Sequence, residues 1–391
     1  MAHFGKKIRP ILMLLSLIAA YLCIRHLPIP SKDALENQHS TWCGVLRMWV
    51  CEGWEAGSGS LIPWLTAASE AFERKHDGVY IQITPVSPST MRSFNYAAEN
   101  PPDMILFHPG ALDSPEDLLE SESCRALYAS LREYGRGYAL PVAMGGYALA
   151  ESGNTENAPL TVPADTGALS YSAAAAAMLA GDPVTEDGTA EPSGKYGIDL
   201  GLPAQTQPPA AAYDAKRREI LPPPGSGRSE NAYSLFSRGE IRQCVVTQRE
   251  IRRLQLLDDA GRAPDWRVRV TGEVFTDQLA LVGIANIARD DLAQRQELAI
   301  AFRSFLLSDA QQAALAKVRA FRVTDGGALY AGQKGFSELE AALAENPLIL
   351  PDAFGSAWRK QAADVLSALF AGEGGAERRL DELFAGGRDS S

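Results

Sequence analysis

Apolar positions recur along this chain with two different periods. Val45 to Val50 (VLRMWV) is a short β-rich run, and Val79 to Thr84 (VYIQIT) alternates through β-branched residues, so each predicts a strand. Between them Leu61, Trp64, Leu65, Ala68 and Phe72 fall at i, i+3, i+4, i+7 and i+11, one stripe of a helix, with Ser60 at the N-cap position and Pro63 in the first turn. Strand, helix and strand in that order make a βαβ unit. Met104 to Phe107 (MILF), led in by Pro101-Pro102-Asp103, reads as a buried parallel strand that extends the same sheet.

Tyr138 to Ala150 (YALPVAMGGYALA) is extended but interrupted by Pro141 and Gly145-Gly146, and the composition changes after it, which marks a crossing into a second domain. Residues 152–227 are rich in Pro, Gly and Ala, with a helical candidate at Leu169 to Leu179 and surface-loop signals at 222–227. Order resumes with a short helix from Asn231 to Ser237, a strand at Cys244 to Thr247 and a helix from Arg249 to Leu257, which together predict a second α/β lobe. Phe275 to Ala285 (FTDQLALVGIA) is extended and leads back. A helix follows with Leu298, Phe302, Phe305 and Leu306 on one face, then a short strand at Phe321 to Val323. Trp358, Ala362, Val365, Leu366, Leu369 and Phe370 repeat the helical stripe. No internal repeat is visible. The expected division is 1–40, 41–140 together with 277–330, 141–276, and a helical segment 331–391 packed on the lobes.

The first of these segments reads as targeting. Lys6, Lys7 and Arg9 precede an apolar run, Ile11 to Ile24, and Arg25 follows it. As a helix that run rises about 21 Å, short for a ~30 Å hydrocarbon core but sufficient for a signal segment. No small-x-small cleavage site closes it, so an uncleaved signal anchor is expected, with residues 28–40 as a tether on the extracytoplasmic face. Leu22 before Cys23 argues against lipidation of that cysteine. The chain of 391 residues is long enough for two lobes, and its 46% hydrophobic and 22% charged residues are ordinary for a globular protein. The formal charge is −11; residues 1–30 hold four Lys/Arg and no Asp/Glu, so the rest carries −11 − 4 = −15, which argues against nucleic acid as a partner. The remaining cysteines, Cys43, Cys51, Cys124 and Cys244, have no Cys-x-x-Cys spacing and are expected as buried thiols.

Catalytic constellations are missing from the sequence. There is no HExxH, Gly-x-Ser-x-Gly or Ser-x-x-Lys. Gly188 to Lys195 resembles a phosphate loop superficially, but its spacing is one residue too long and Tyr196 replaces the magnesium-holding Ser/Thr. The five histidines are scattered, and only His108, beside a predicted strand end, is a candidate ligand contact. The acidic stretch Asp113 to Glu122 reads as a solvated face. No enzyme activity, cofactor or metal is expected.

Four stretches in a fixed order carry a family resemblance: LRMWV with AFERKHDGVYIQIT, PPDMILF, YALPVAMGGYALA, and AIAFRSFLLSDAQQAALAKVRAFRV. Together, from Val45 to Val323, they resemble the extracellular solute-binding proteins of bacterial ABC importers, in particular the sugar-binding branch related to maltose-binding protein. The resemblance implies an α/β, two-lobed periplasmic-binding-protein-like fold with a ligand cleft between the lobes. It further implies a monomer that captures a small solute, an oligosaccharide among the options, and hands it to permease subunits in the membrane. Carried over residue by residue, it places Trp54 and Glu55 after the first strand as a stacking surface and a polar contact, with Met144 and Tyr147 on the cleft floor. Gln248 and Arg249 stand where the family has Gly and then Trp, which removes a stacking ring, and Thr276 and Asp277 sit at the return crossing. The eight arginines from Arg238 to Arg269 suit either an anionic ligand or a solvated face. The other readings are a ligand sensor of the same fold uncoupled from transport, and an extracytoplasmic hydrolase.

Overall fold

The computed structural model describes residues 42–92, 101–120, 124–153 without 133 and 136, 232–270, 274–286 and 292–349 without 346, with scattered positions from 354 onward. The expected anchor and tether, the helical candidate at 169–179, the phosphate-loop look-alike at 188–195 and all of the C-terminal stripe but Val365 lie outside these residues. Among the described residues no helix is long and apolar enough to cross a membrane.

The first lobe opens with β1 (Gly44–Val50), α1 (Ile62–Glu73), β2 (Val79–Pro85), a short α2 (Pro88–Arg92) and β3 (Met104–Phe107). β1 pairs in parallel with β2 and β3, with Leu46 opposite Ile81 and Met48 opposite Met104. Alternation sends Leu46, Met48 and Val50 inward, where the α1 stripe of Trp64, Leu65, Ala68 and Phe72 is also buried. The start of α1 differs in detail from the sequence expectation. Leu61 is the cap residue and has no capping side chain of its own. Its amide donates to the Glu52 carboxylate at 2.5 Å, while the Ser60 hydroxyl donates to the same carboxylate at 2.8 Å and accepts the Ile62 amide at 3.0 Å. A carboxylate at a helix N-terminus also complements the macrodipole.

β4 (Ala139–Met144) enters the same sheet, and β5 (Tyr147–Ser152) begins another. The second lobe continues with α3 (Ala232–Ser237), β6 (Gln243–Thr247), α4 (Gln248–Asp259), β7 (Trp266–Arg269) and β8 (Val274–Thr276). Its sheet has the order β6-β5-β7 and is antiparallel. The extended run read at 275–285 divides in two. β8 stays with the second lobe, and β9 (Leu279–Ile284) returns to the first sheet between β3 and β4, antiparallel to both, giving the order β2-β1-β3-β9-β4. α5 (Leu292–Leu306) and α6 (Asp309–Ala314) follow, and Phe302 of α5 meets Phe72 of α1 edge-on at 5.2 Å. The short strand read at 321–323 is reduced to isolated bridges, Phe321 with Met144 and Thr324 with Leu127. The chain then passes to α7 (Phe336–Glu345), which packs on β7, and to β10 (Pro347–Ile349), parallel to β8.

Thus the chain passes between two sheets at Gly145-Gly146, at Asp277-Gln278 and after Thr324, and the molecule has two α/β lobes. Cys51 and Cys244 are buried thiols, as expected, and burial pushes both up. Cys124 is only partly buried, and Cys43 departs from that expectation altogether. It is exposed, because it precedes the first residue of β1 at the rim of the sheet, against the turn at Gly78.

Candidate functional site

Loops at the carboxyl ends of the strands converge from both lobes where the passages run. On the first lobe, residues 51–59 leave the end of β1. His108, just after β3, lies flat against this loop, since a Cβ added at Gly53 would come within 2.0 Å of its ring. The Gly57 amide donates to the Arg319 carbonyl at 2.9 Å, and a Cβ there would meet Arg319 Cβ at 2.4 Å, so this approach needs glycine. On the second lobe, β6 runs into α4 through a capping box in which Thr247 accepts the Arg249 amide and the Glu250 carboxylate accepts the Thr247 amide. The Thr-x-x-Glu spacing was present in the sequence as a signal for this helix start.

Gln248, at the first position of α4, reaches across. Its amide nitrogen donates to the Glu55 carbonyl at 2.6 Å and to Gln278 Oε1 at 2.7 Å, and its Oε1 accepts the Gly146 amide at 2.9 Å. Around it, the Gly145 amide donates to the Gln278 carbonyl at 2.7 Å, and the Thr276 hydroxyl donates to the Gly145 carbonyl at 2.8 Å. The Tyr147 hydroxyl donates to Asp277 at 3.0 Å. Met144 and Phe321 exchange backbone hydrogen bonds at 2.8 and 3.0 Å. Gln312 of α6 donates to the Val142 carbonyl and accepts the Val323 amide.

The eight residues singled out in the sequence therefore fall into two groups. Met144, Tyr147, Gln248, Thr276 and Asp277 are buried at the junction of the passages, and the polar side chains among them hydrogen-bond within the protein. Trp54 and Arg249 are partly exposed; Glu55, the most open, forms an ion pair with Arg249, the two side chains being 60% and 26% exposed. Gln278 and Gln312 escaped the sequence reading, since one polar residue in an apolar run and one in a helix carry no local mark of a partner on another element. Several arginines of the 238–269 stretch have local partners: Arg267 and Arg269 both hold the buried Glu151 at 2.8 Å, Arg238 pairs with Glu240, and Arg253 lies over the Tyr233 ring.

Chemically, this junction offers hydrogen-bond donors and acceptors, an indole and an ion pair. Among the described residues no three His, Cys, Asp or Glu side chains gather as metal ligands. Burial pushes the Cys51 thiol beside it up, which disfavours its nucleophilic thiolate form.

The same two-lobed arrangement occurs in solved structures. A cyclic alpha-maltosyl-1,6-maltose binding protein from Arthrobacter globiformis matches at TM-score 0.56 and 13% identity, covering 90% of this chain and 100% of its own. An ABC substrate-binding protein from Listeria monocytogenes in complex with cycloalternan matches at TM-score 0.54 and 11% identity, covering 89% and 99%. The GacH receptor of Streptomyces glaucescens, solved unliganded and with acarbose, matches at TM-score 0.54 and 15% identity, covering 89% and 98%. At such identities the likeness is one of fold, and it shows the periplasmic-binding-protein-like architecture. No protein-family model matches the chain, and no curated protein matches it by sequence.

Proposed function

We propose that this protein is the extracytoplasmic solute-binding component of an ABC importer, without enzyme activity, acting as a monomer tethered by its N-terminal segment. One observation carries the reading. Two lobes joined by three passages bring a loop from one, with Trp54 and Glu55, against a helix start from the other, with Arg249. A ligand that touches both lobes spends its binding energy on their closed arrangement, and a permease can recognise that arrangement. Within this reading Trp54, Glu55 and Arg249 contact the solute, while Met144, Tyr147, Gln248, Thr276 and Asp277 hold the geometry of the hinge beneath it.

Oligosaccharides are the first class to test, because the structural neighbours named above bind cyclic alpha-maltosyl-1,6-maltose, cycloalternan and acarbose, and an indole suits the apolar face of a sugar ring. Arg249 on the opposite side supplies a polar contact in place of a second ring. The test is a thermal-shift screen of the full chain against sugars, amino acids, peptides and polyamines. Hits are followed by small-angle scattering. A saturable rise in melting temperature with one class, accompanied by a smaller radius of gyration, supports the proposal; silence across every class overturns it.

A further inference from the structure

Glycines aside, one described residue has a positive φ: Arg319, at 58°. It follows the turn Leu315–Lys317, and its amide and that of Ala320 donate to the Ala316 and Leu315 carbonyls, both at 3.3 Å. This pair of bonds is a helix ending in which the residue at positive φ is usually glycine, because an L side chain is strained there. An arginine in glycine's place is strain that its surroundings must hold, and such strain gathers where a segment has a second task.

That task is visible in what Arg319 touches. The Gly57 and Ser58 amides of the first lobe donate to the Arg319 and Val318 carbonyls at 2.9 and 3.1 Å, and the Ser58 hydroxyl donates to Val318 at 2.8 Å. The loop that carries Trp54 and Glu55 therefore rests on this turn. Gly57 is also where the lobes meet, since a Cβ added to it would lie 2.4 Å from Arg319 Cβ and 3.2 Å from the Gln248 carbonyl. The Arg319 guanidinium meets residues beyond the third passage. Its Nη1 donates to Gln333 Oε1, and it stands 5.7 and 5.5 Å from the ring centres of Tyr330 and Phe336, within cation–π reach. This segment is anchored on the second lobe. The Gln255 side chain donates to the Lys334 carbonyl at 2.9 Å, the Lys334 ammonium pairs with Asp258 at 3.1 Å, and a Cβ at Gly335 would meet Ile251 at 2.9 Å and Val268 at 3.0 Å.

We infer that Arg319 clasps the two lobes and is a positioning residue for the solute site. Its backbone supports the loop bearing Trp54 and Glu55, and its guanidinium fastens that support to Gln333, Tyr330 and Phe336 on the other lobe. Both walls of the cleft are then ordered before a solute arrives, which lowers the ordering cost of binding. Glycine would end the helix with less strain, but it has no side chain to span the gap. The link to binding rests on the solute-binding reading above; the clasp itself does not.

The test is a distance between the lobes of the full chain, read by pulsed electron resonance without solute. One spin label sits on Cys43, exposed on the first lobe, and the other on Leu256→Cys, at an exposed position of α4, in a Cys23→Ser, Cys124→Ser background. Arg319→Gly deletes the guanidinium and relieves the backbone, so its melting midpoint is kept while the distances broaden and lengthen. Arg319→Lys keeps a cation by the rings without the fork and gives a smaller shift. Gln333→Leu leaves the turn itself alone and shifts the distances in the same direction. A distribution as narrow in Arg319→Gly as in the unaltered chain overturns the clasp and leaves a helix ending only. Broadening that comes with loss of helical circular dichroism is unfolding, and overturns it too. Since no solute enters the measurement, failure of the clasp and failure of the solute screen are separate results.

Discussion

The phenolic hydroxyl of Tyr147 donates to the Asp277 carboxylate over 3.0 Å, although the two residues stand 130 apart in the chain. Tyr147 opens β5 just after the first passage between the lobes, and Asp277 leaves β8 at the second. Both are buried, so the bond ties the outgoing strand to the returning one.

Tyr147→Phe removes the hydroxyl and keeps the ring. Asp277 loses one charge-assisted partner in a buried setting, at a cost of about 1.5–3 kcal/mol. A lower thermal midpoint is expected with the circular dichroism spectrum unchanged. A midpoint within error of the unaltered protein would show the bond to be dispensable.

Gly145 has no room for a side chain: a Cβ would meet Gln278 Oε1 at 2.3 Å and the Gln248 amide nitrogen at 2.6 Å. Gly145→Ala must therefore push apart the Gln248 network that links the lobes, with overpacking of about 1–3 kcal/mol. At Gly327 nothing lies within 4 Å of an added Cβ, so Gly327→Ala is the control and leaves the melting curve unmoved. Equal melting curves for the two variants would contradict this geometry.

The Glu55–Arg249 ion pair joins the lobes at a partly solvated position. A double-mutant cycle of Glu55→Gln and Arg249→Gln should give a coupling of about 0–1 kcal/mol that shrinks with added salt. The larger effect belongs to solute binding, where each single change should weaken the best hit of the thermal-shift screen. Affinity untouched by both changes would place the solute elsewhere.

Thiol chemistry separates the cysteines. Cys43 is exposed and should react with a maleimide in the native protein, whereas Cys51 and Cys244 are buried with their thiols pushed up, and should react only on unfolding. Mass spectrometry of peptides after brief labelling reads this directly. Fast native labelling of Cys244 would mean that β6 is open to solvent.

Burial pushes the Tyr128 and Tyr233 phenols up to about 12, from 10. Their folded values lie above the unfolded ones, so their contribution is fully present below pH 10 and is lost as pH rises from 10 through 12. Stability should fall over that interval, followed by chemical denaturation at stepped pH. Tyr128→Phe should flatten part of the decline; an unchanged slope would assign it to other groups.

Elements built from near neighbours were legible. The α1 stripe reads at helical spacing because burial of Trp64, Leu65, Ala68 and Phe72 follows from which side of one helix meets the sheet. The strands VLRMWV, VYIQIT and MILF are equally local. Trp266–Arg269 escaped notice, since only two of its residues are apolar and it becomes a strand by pairing with β5, far back in the chain.

For the junction, sequence by itself determined that a Gly-Gly break interrupts an extended run and that Gln, Thr and Asp lie near the ends of strands. Only the tertiary structure decided that Gln248 meets Glu55, 193 residues away, and that Thr276, Asp277 and Tyr147 turn inward. The physical reason is that a hydrogen bond between distant segments depends on how two sheets are joined, and a side-chain amide has the same sequence signature in solvent as in the interior. The burial of single guanidinium nitrogens without a partner among the described residues, Nε and Nη1 of Arg303 and Nε of Arg322, is likewise a property of the packed chain alone.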